Sequence, residues 1–235
     1  VDYAPLNFVF ELKSAGRNSP QWKNVVDVDT YLSNAALRTV GLPITDLVRR
    51  FRTDGYFMYP PRDLNNPGTQ YALTTGNFAT ITPMEETLVV VDGRFPEPFV
   101  SLLREGSTIE AMASEEFAAE FGVQVGDTYS LRMDNGQMPI TIAGLWRPAD
   151  PLAPYWDVKR DNYLFVHEES YASIISDRVE DELNNVVWTI TADGSSLHSG
   201  DVPGLEDRIL EIEGQAATFL ANTKLIASPL EALER

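Results

Sequence analysis

Between Ser107 and Arg147 the turn and cap residues dictate the run of elements. Thr108 to Ala113 reads as a strand and Ser114 to Phe121 as a short helix. Ser114 sits where a side-chain oxygen caps a helix, and Glu115 and Glu116 follow where the positive helix end favours carboxylates. Gly122 supplies the left-handed residue that stops the helix. Val123-Gln124-Val125-Gly126-Asp127 then leads into a second strand, Thr128 to Met133. Asn135-Gly136 is a strong hairpin signal, because both central residues of a type I′ turn need positive φ. A third strand closes the unit at Thr141-Ile142-Ala143-Gly144-Leu145.

Helix and strand signals alternate on both sides of this unit. Leu6 to Leu12 is a strand by its aromatic and apolar content. Ser19-Pro20 opens a helix with Trp22, Val25, Val26, Leu32, Ala35 and Ala36 at helical spacing, ended by Gly41 and Pro43. The same period predicts a second helix from Ile44 to Arg52, with Ile44, Leu47, Val48 and Phe51 on one face. Gly55 to Tyr59, Gln70 to Thr74 and Thr87 to Val91 read as short strands. Residues 60–70 form a loop rich in Pro, Asn, Asp and Gly, and Pro148 to Pro154 form another. Tyr163 to Val166 is a strand, and Glu168 to Ile175 a helix with Tyr171, Ile174 and Ile175 inward. Val186 to Ile190 is a strand. Leu205, Ile209, Ile212, Ala216, Phe219 and Leu220 mark a helix, and Leu225 to Ala227 a last strand. The expected fold is therefore α+β: an α/β lobe built from residues 1–84 and 156–235, with a β-rich lobe, 85–155, inserted between them.

Ser228-Pro229-Leu230-Glu231 combines a capping serine, proline at the first helical position and glutamate three residues after the cap, which predicts the start of a helix. Only a turn or so of sequence follows it, and a helix that short is marginal alone. The simplest expectation is that a longer helix begins here.

Composition excludes several function classes. A net charge of −17 lacks the basic footprint that nucleic acid requires, and argues against electrostatic docking on anionic lipid. No cysteine is present, which removes disulfides, thiolate metal sites and thiol nucleophiles. No apolar run approaches the length of about 20 residues that a membrane helix needs.

The catalytic inventory is thin. The two histidines, His167 and His198, stand at a strand end and in a Gly-Ser-rich loop, and read as structural or solvated. No nucleophile elbow, HExxH helix or P-loop occurs, so ATP hydrolysis is not expected of this chain. The nearest calcium candidates, Asp63-Leu64-Asn65-Asn66 and Asp27-Val28-Asp29, lack the EF-hand spacing. Glu85-Glu86, Glu115-Glu116 and Glu168-Glu169 are sequence neighbours, which do not face each other on a helix. The aromatics Tyr56, Phe57, Tyr59, Tyr71 and Phe78, with Met58, read as core first and ligand groove second. No catalytic, metal-binding or cofactor-binding residue is assigned, and no cofactor is expected.

The strand, Ser-x-x-x-Ala-x-x-x-Gly helix, apolar-x-apolar-Gly-Asp, hairpin, apolar-Gly-apolar order resembles the extracytoplasmic domain of FtsX/MacB-type ABC transporter permeases. Further segments share the likeness: Gly41-Leu42-Pro43-Ile44, the run from Arg52-Thr53-Asp54-Gly55 to Tyr59-Pro60, Val91-Asp92-Gly93-Arg94-Phe95-Pro96, and Ser228-Pro229-Leu230-Glu231-Ala232-Leu233. The sequence departs most from macrolide-exporter members near its N-terminus. The resemblance implies a two-lobed domain on the extracytoplasmic face of a bacterial membrane, placed between the first and second helices of a four-helix permease. It implies a second permease copy and a cytoplasmic ATPase as partners. The expected task is to relay ATPase-driven motion to a substrate or partner outside. Two other readings stay open: a free-standing extracytoplasmic ligand-binding module, and a hydrolase with carboxylates converging from separate segments.

Overall fold

The computed structural model describes residues 5–14, 20, 22–61, 71–99, 108–133, 136–156, 162–178 and 183–229, with backbone alone at 174–178 and at Ser199. The fold is α+β. Its centre is a mixed ten-stranded sheet. The strands are β1 (Leu6–Lys13), β2 (Ile44–Tyr59), β3 (Thr74–Thr82), β4 (Leu88–Gly93) and β5 (Ile109–Ser114), followed by β6 (Thr128–Met133), β7 (Gly136–Pro148), β8 (Tyr163–Phe165), β9 (Leu183–Ala192) and β10 (Thr223–Ala227). They run in the order β10-β1-β9-β2-β3-β8-β5-β7-β4, and β6 bridges β2 and β7. Among the described residues only β3–β8 and β5–β7 pair parallel.

Helices cover one face. Val25, Val28, Leu32, Ala36 and Val40 lie inward along one helical run, α1 (Trp22–Thr30), a π-helical stretch at Tyr31–Ala35, and α2 (Ala36–Val40). Repeated four-residue spacing drifts ahead of a 3.6-residue turn, and the wider π turn takes up the drift. Gly41 ends the run at φ 73°, and Arg208 Nε donates to the Val40 carbonyl at 3.0 Å. Arg208 belongs to α6 (Val202–Phe219), which buries Leu205, Ile209, Ile212 and Ala216 against the same face. Two further helices flank these, α4 (Glu115–Phe121) and α5 (Glu168–Arg178), while a single turn, α3 (Met84–Thr87), links β3 to β4. The opposite face carries Val9, Val48, Ala79, Ile81, Met112, Trp146, Tyr163, Phe165 and Val187, packed with Tyr155 and Trp156 of the proline-rich loop.

The unit that opens the sequence argument forms as its residues require. Ser114 Oγ accepts the Phe117 amide at 3.0 Å, and Gly122 closes α4 at φ 71°. Gly126, at φ 92°, turns the chain so that its amide donates to the Ile142 carbonyl at 2.8 Å. Asn135 lies outside the described residues, as do Asp63 to Asn66 and Leu230 onward, so the hairpin turn, that calcium candidate and the terminal helix do too. The expected inward Ile174 and Ile175 have only their backbone described.

The predicted helix from Ile44 to Arg52 is corrected: these residues are the first half of a sixteen-residue strand. Val48 and Arg50 point to one face, Arg49 and Phe51 to the other. Arg50 is fully buried, donating to Tyr163 Oη at 2.7 Å and to Asn185 Oδ1 at 2.8 Å. Asn185 Nδ2 in turn donates to Glu11 Oε1 at 2.7 Å. A charged group in the core stays only where such partners satisfy it. Those partners come from strands more than a hundred residues away, so a local period cannot foresee them.

Candidate functional site

The motifs that carry the family likeness are junctions of backbone. Gly93 and Gly144 are Cα partners across β4 and β7. A methyl at Gly144 would overlap the Arg94 carbonyl oxygen, so the two chains approach as only glycine allows. The Arg94 amide donates to the Ala143 carbonyl at 3.0 Å. Its guanidinium forks onto both Glu110 carboxylate oxygens at 2.6 Å, and the Glu97 amide reaches Glu110 Oε2 at 2.9 Å. The hydrogen bond from Arg94, first of all, holds the Glu110 carboxyl below its ordinary range.

Arg52-Thr53-Asp54-Gly55 is a bulge in β2, where register with β3 shifts. Thr53 Oγ1 accepts the Phe78 amide at 3.1 Å, and Asn77 Nδ2 donates to the Thr53 carbonyl at 3.0 Å. Arg52 and Asp54 both reach the side chain of Asn184.

The remaining candidates divide. His167 Nδ1 accepts the Glu169 amide at 3.2 Å, and the His198 amide donates to Asp201 Oδ2 at 3.1 Å, so both histidines serve helix starts. Tyr56, Met58 and Phe78 are core, while Phe57 and Tyr71 are exposed. The aromatic run is therefore split by strand alternation and lines no single groove. Among the described residues no three metal-ligating side chains gather, and no helix is long and apolar enough to cross a membrane.

One cavity stands out on the helical face. It measures about 210 Å³ and lies between α1, α5 and strands β2 and β3. Trp22, Phe51 and Tyr171 form its aromatic wall, with ring centroids 5.8–6.2 Å apart. Asp29 and Glu168 supply its carboxylates, bridged by Arg49 at 2.9 and 3.1 Å. Trp188 Nε1 donates to Asp29 Oδ1 at 2.8 Å, and Thr82 Oγ1 to Glu168 Oε2 at 2.9 Å. Thr80 and Tyr171 also line it, each about 1% exposed, and neither hydroxyl has a hydrogen-bond partner. Burial pushes the Tyr171 phenol well above its ordinary value, against a smaller opposing effect of Arg52. Asp29 and Glu168 are both visible in the sequence, one as half of a doubtful calcium pair, one at a helix start. No sequence signal joins them to each other, to Thr80 or to Arg49.

No protein-family model matches the chain, and no curated protein does. Among solved structures, a domain described as belonging to a permease protein of Porphyromonas gingivalis aligns with a TM-score of 0.46 and 12% identity, covering 97% of this chain and 88% of that one. At that level the likeness assigns no function.

Proposed function

We infer that this chain is the extracytoplasmic domain of an FtsX/MacB-type ABC transporter permease, a non-enzymatic relay between membrane helices and a substrate or partner outside. One observation carries the reading. β1 and β10 are antiparallel neighbours, with Val9 opposite Ala227 and Leu12 opposite Thr223. The chain therefore enters β1 and leaves β10 at the same end of the sheet. A domain hung between two adjacent membrane helices needs this arrangement, because one movement of the pair must reach it as one displacement. The motif order set out above supports the same reading. In it, residues 1–84 and 156–235 form the lobe tied to the membrane, and 85–155 the lobe that reaches outward. A second permease copy and a cytoplasmic ATPase complete the machine, and relay requires two packing states that the ATPase biases.

The test uses the full-length gene product in its own membrane. The chain contains no cysteine, and Tyr71 and Leu152 are 79% and 92% exposed. Single cysteines at those positions should react with a membrane-impermeant maleimide from the outer side of the cytoplasmic membrane. The protein should also co-purify with an ATPase subunit. Labelling only after the cytoplasm is opened to the reagent rejects the reading.

A further inference from the structure

We propose that the cavity between α1 and α5 is a binding site for a compact organic cation, an ammonium group carried on a small apolar or aromatic body. The charged residues lining it are both acidic, Asp29 and Glu168, and they share Arg49 between them. A second cation would complete the pairing, and a carboxylate oxygen already holding one donor retains acceptor capacity. The wall opposite is aromatic, and the faces of Trp22, Phe51 and Tyr171 attract cations and pack against apolar bodies alike. The hydroxyls of Thr80 and Tyr171 are an independent sign. Each is almost wholly buried at the cavity without a partner, and a buried hydroxyl left unpaired costs roughly 1–3 kcal/mol. Both oxygens are closed off as the cavity stands, and a ligand that opens it slightly toward either one would satisfy that hydroxyl.

Size narrows the class. About 210 Å³ lies below the roughly 300–1,000 Å³ of drug-sized pockets, so the ligand is small. Entry is from solvent beside Val26 and Glu168, whose side chains are partly exposed. An overall charge of −17 favours the approach of cations. This site rests on its own walls and is independent of the transporter reading.

The experiment titrates the chain at low salt with 2-phenylethylammonium and, separately, with 2-phenylethanol, which matches it in shape without charge. Calorimetry reads affinity and tryptophan fluorescence reports on Trp22. The ammonium should bind at least about tenfold more tightly than the alcohol, a difference of about 1.4 kcal/mol. Glu168→Gln, at a partly exposed position that keeps the fold, should lower ammonium affinity several-fold and leave the alcohol unchanged. Thr80→Val separates binding from structure. It should raise or preserve the urea midpoint, since it removes an unpaired hydroxyl, while weakening the ammonium. Equal affinity for the two probes, no binding of the ammonium at millimolar concentration, or ammonium affinity unchanged in both variants overturns the proposal.

Discussion

Replacing Gly144 by alanine adds one methyl group where the structure has no room for it. The new carbon would overlap the Arg94 carbonyl and lie 3.0 Å from both the Arg94 nitrogen and the Asp92 carbonyl oxygen. All three obstacles are backbone, so no rotamer change relieves them. β4 must move away from β7. That movement loosens the Arg94–Ala143 hydrogen bond and the Gly93–Gly144 and Asp92–Leu145 pairings. Overpacking costs about 1–3 kcal/mol, and one or two weakened hydrogen bonds add about 1 kcal/mol each. The expected loss is about 2–5 kcal/mol, a fall in Tm on the order of 10 °C for a chain of this size. Gly122→Ala is the control. Gly122 sits at φ 71°, in the left-handed region that Gly144 does not occupy, but nothing lies within 4 Å of its added carbon, so it should lose only about 1 kcal/mol. Urea unfolding followed by tryptophan fluorescence measures both. If Gly144→Ala loses no more than Gly122→Ala, close backbone approach is not why glycine stands there.

Met58→Ala should cost about 2–5 kcal/mol, since Met58 is fully buried, whereas Phe57→Ala one residue earlier should cost under about 1 kcal/mol at 56% exposure. Equal losses in chemical denaturation would contradict strand alternation in β2. Arg94→Met should narrow the stability gap to the native protein in acid. The folded Glu110 carboxyl titrates below its unfolded value of 4.5, so the stability it contributes is present above that pH and fades as pH falls through the folded value. A gap that widens below pH 4.5 would refute this sign.

Most of the fold was legible because most elements announce themselves locally. β6 begins and ends where the sequence places it, and α4 has its cap, its acidic first turn and its glycine stop. β2 was half misread because Ile44, Leu47, Val48 and Phe51 satisfy a helical period while their strand lies deep in a sheet covered on both faces. Arg49, Arg50 and Arg52 look like a solvent face in sequence. Their partners Asp29, Tyr163 and Asn184 arrive from three other segments. The cavity was illegible for the same reason. Its carboxylates, hydroxyls and rings come from α1, β2, β3 and α5, and only the assembled sheet brings them together.

The relay reading makes a mechanical demand on β1 and β10 that a disulfide can test. β1 is held along its whole length by β9, from Leu6 opposite Ala192 to Lys13 opposite Asn185. Among the described residues β10 is an edge strand whose one sheet neighbour is β1, and the Leu225 amide also donates to Glu213 Oε1 of α6 at 2.9 Å. If the two strands move as one body, locking them together leaves the relay intact; if β10 peels away during the cycle, locking stops it. Glu11 and Lys224 are Cα partners, and directly opposed residues in an antiparallel pair lie about 4.5–5.5 Å apart, within disulfide reach. With no native cysteine in the chain, Glu11→Cys with Lys224→Cys has no competing thiol there. Oxidation closes a very long loop, worth about 5 kcal/mol on the chain-entropy view. Glu11 also accepts from Asn185, so the reduced double variant is the reference. The oxidised form should be more stable to urea than the reduced form, and on the relay reading the full-length protein should retain the same ATP-driven activity in both. Loss of that activity on oxidation, restored by reductant, would show that the edge opens and that β1 and β10 do not move as one body.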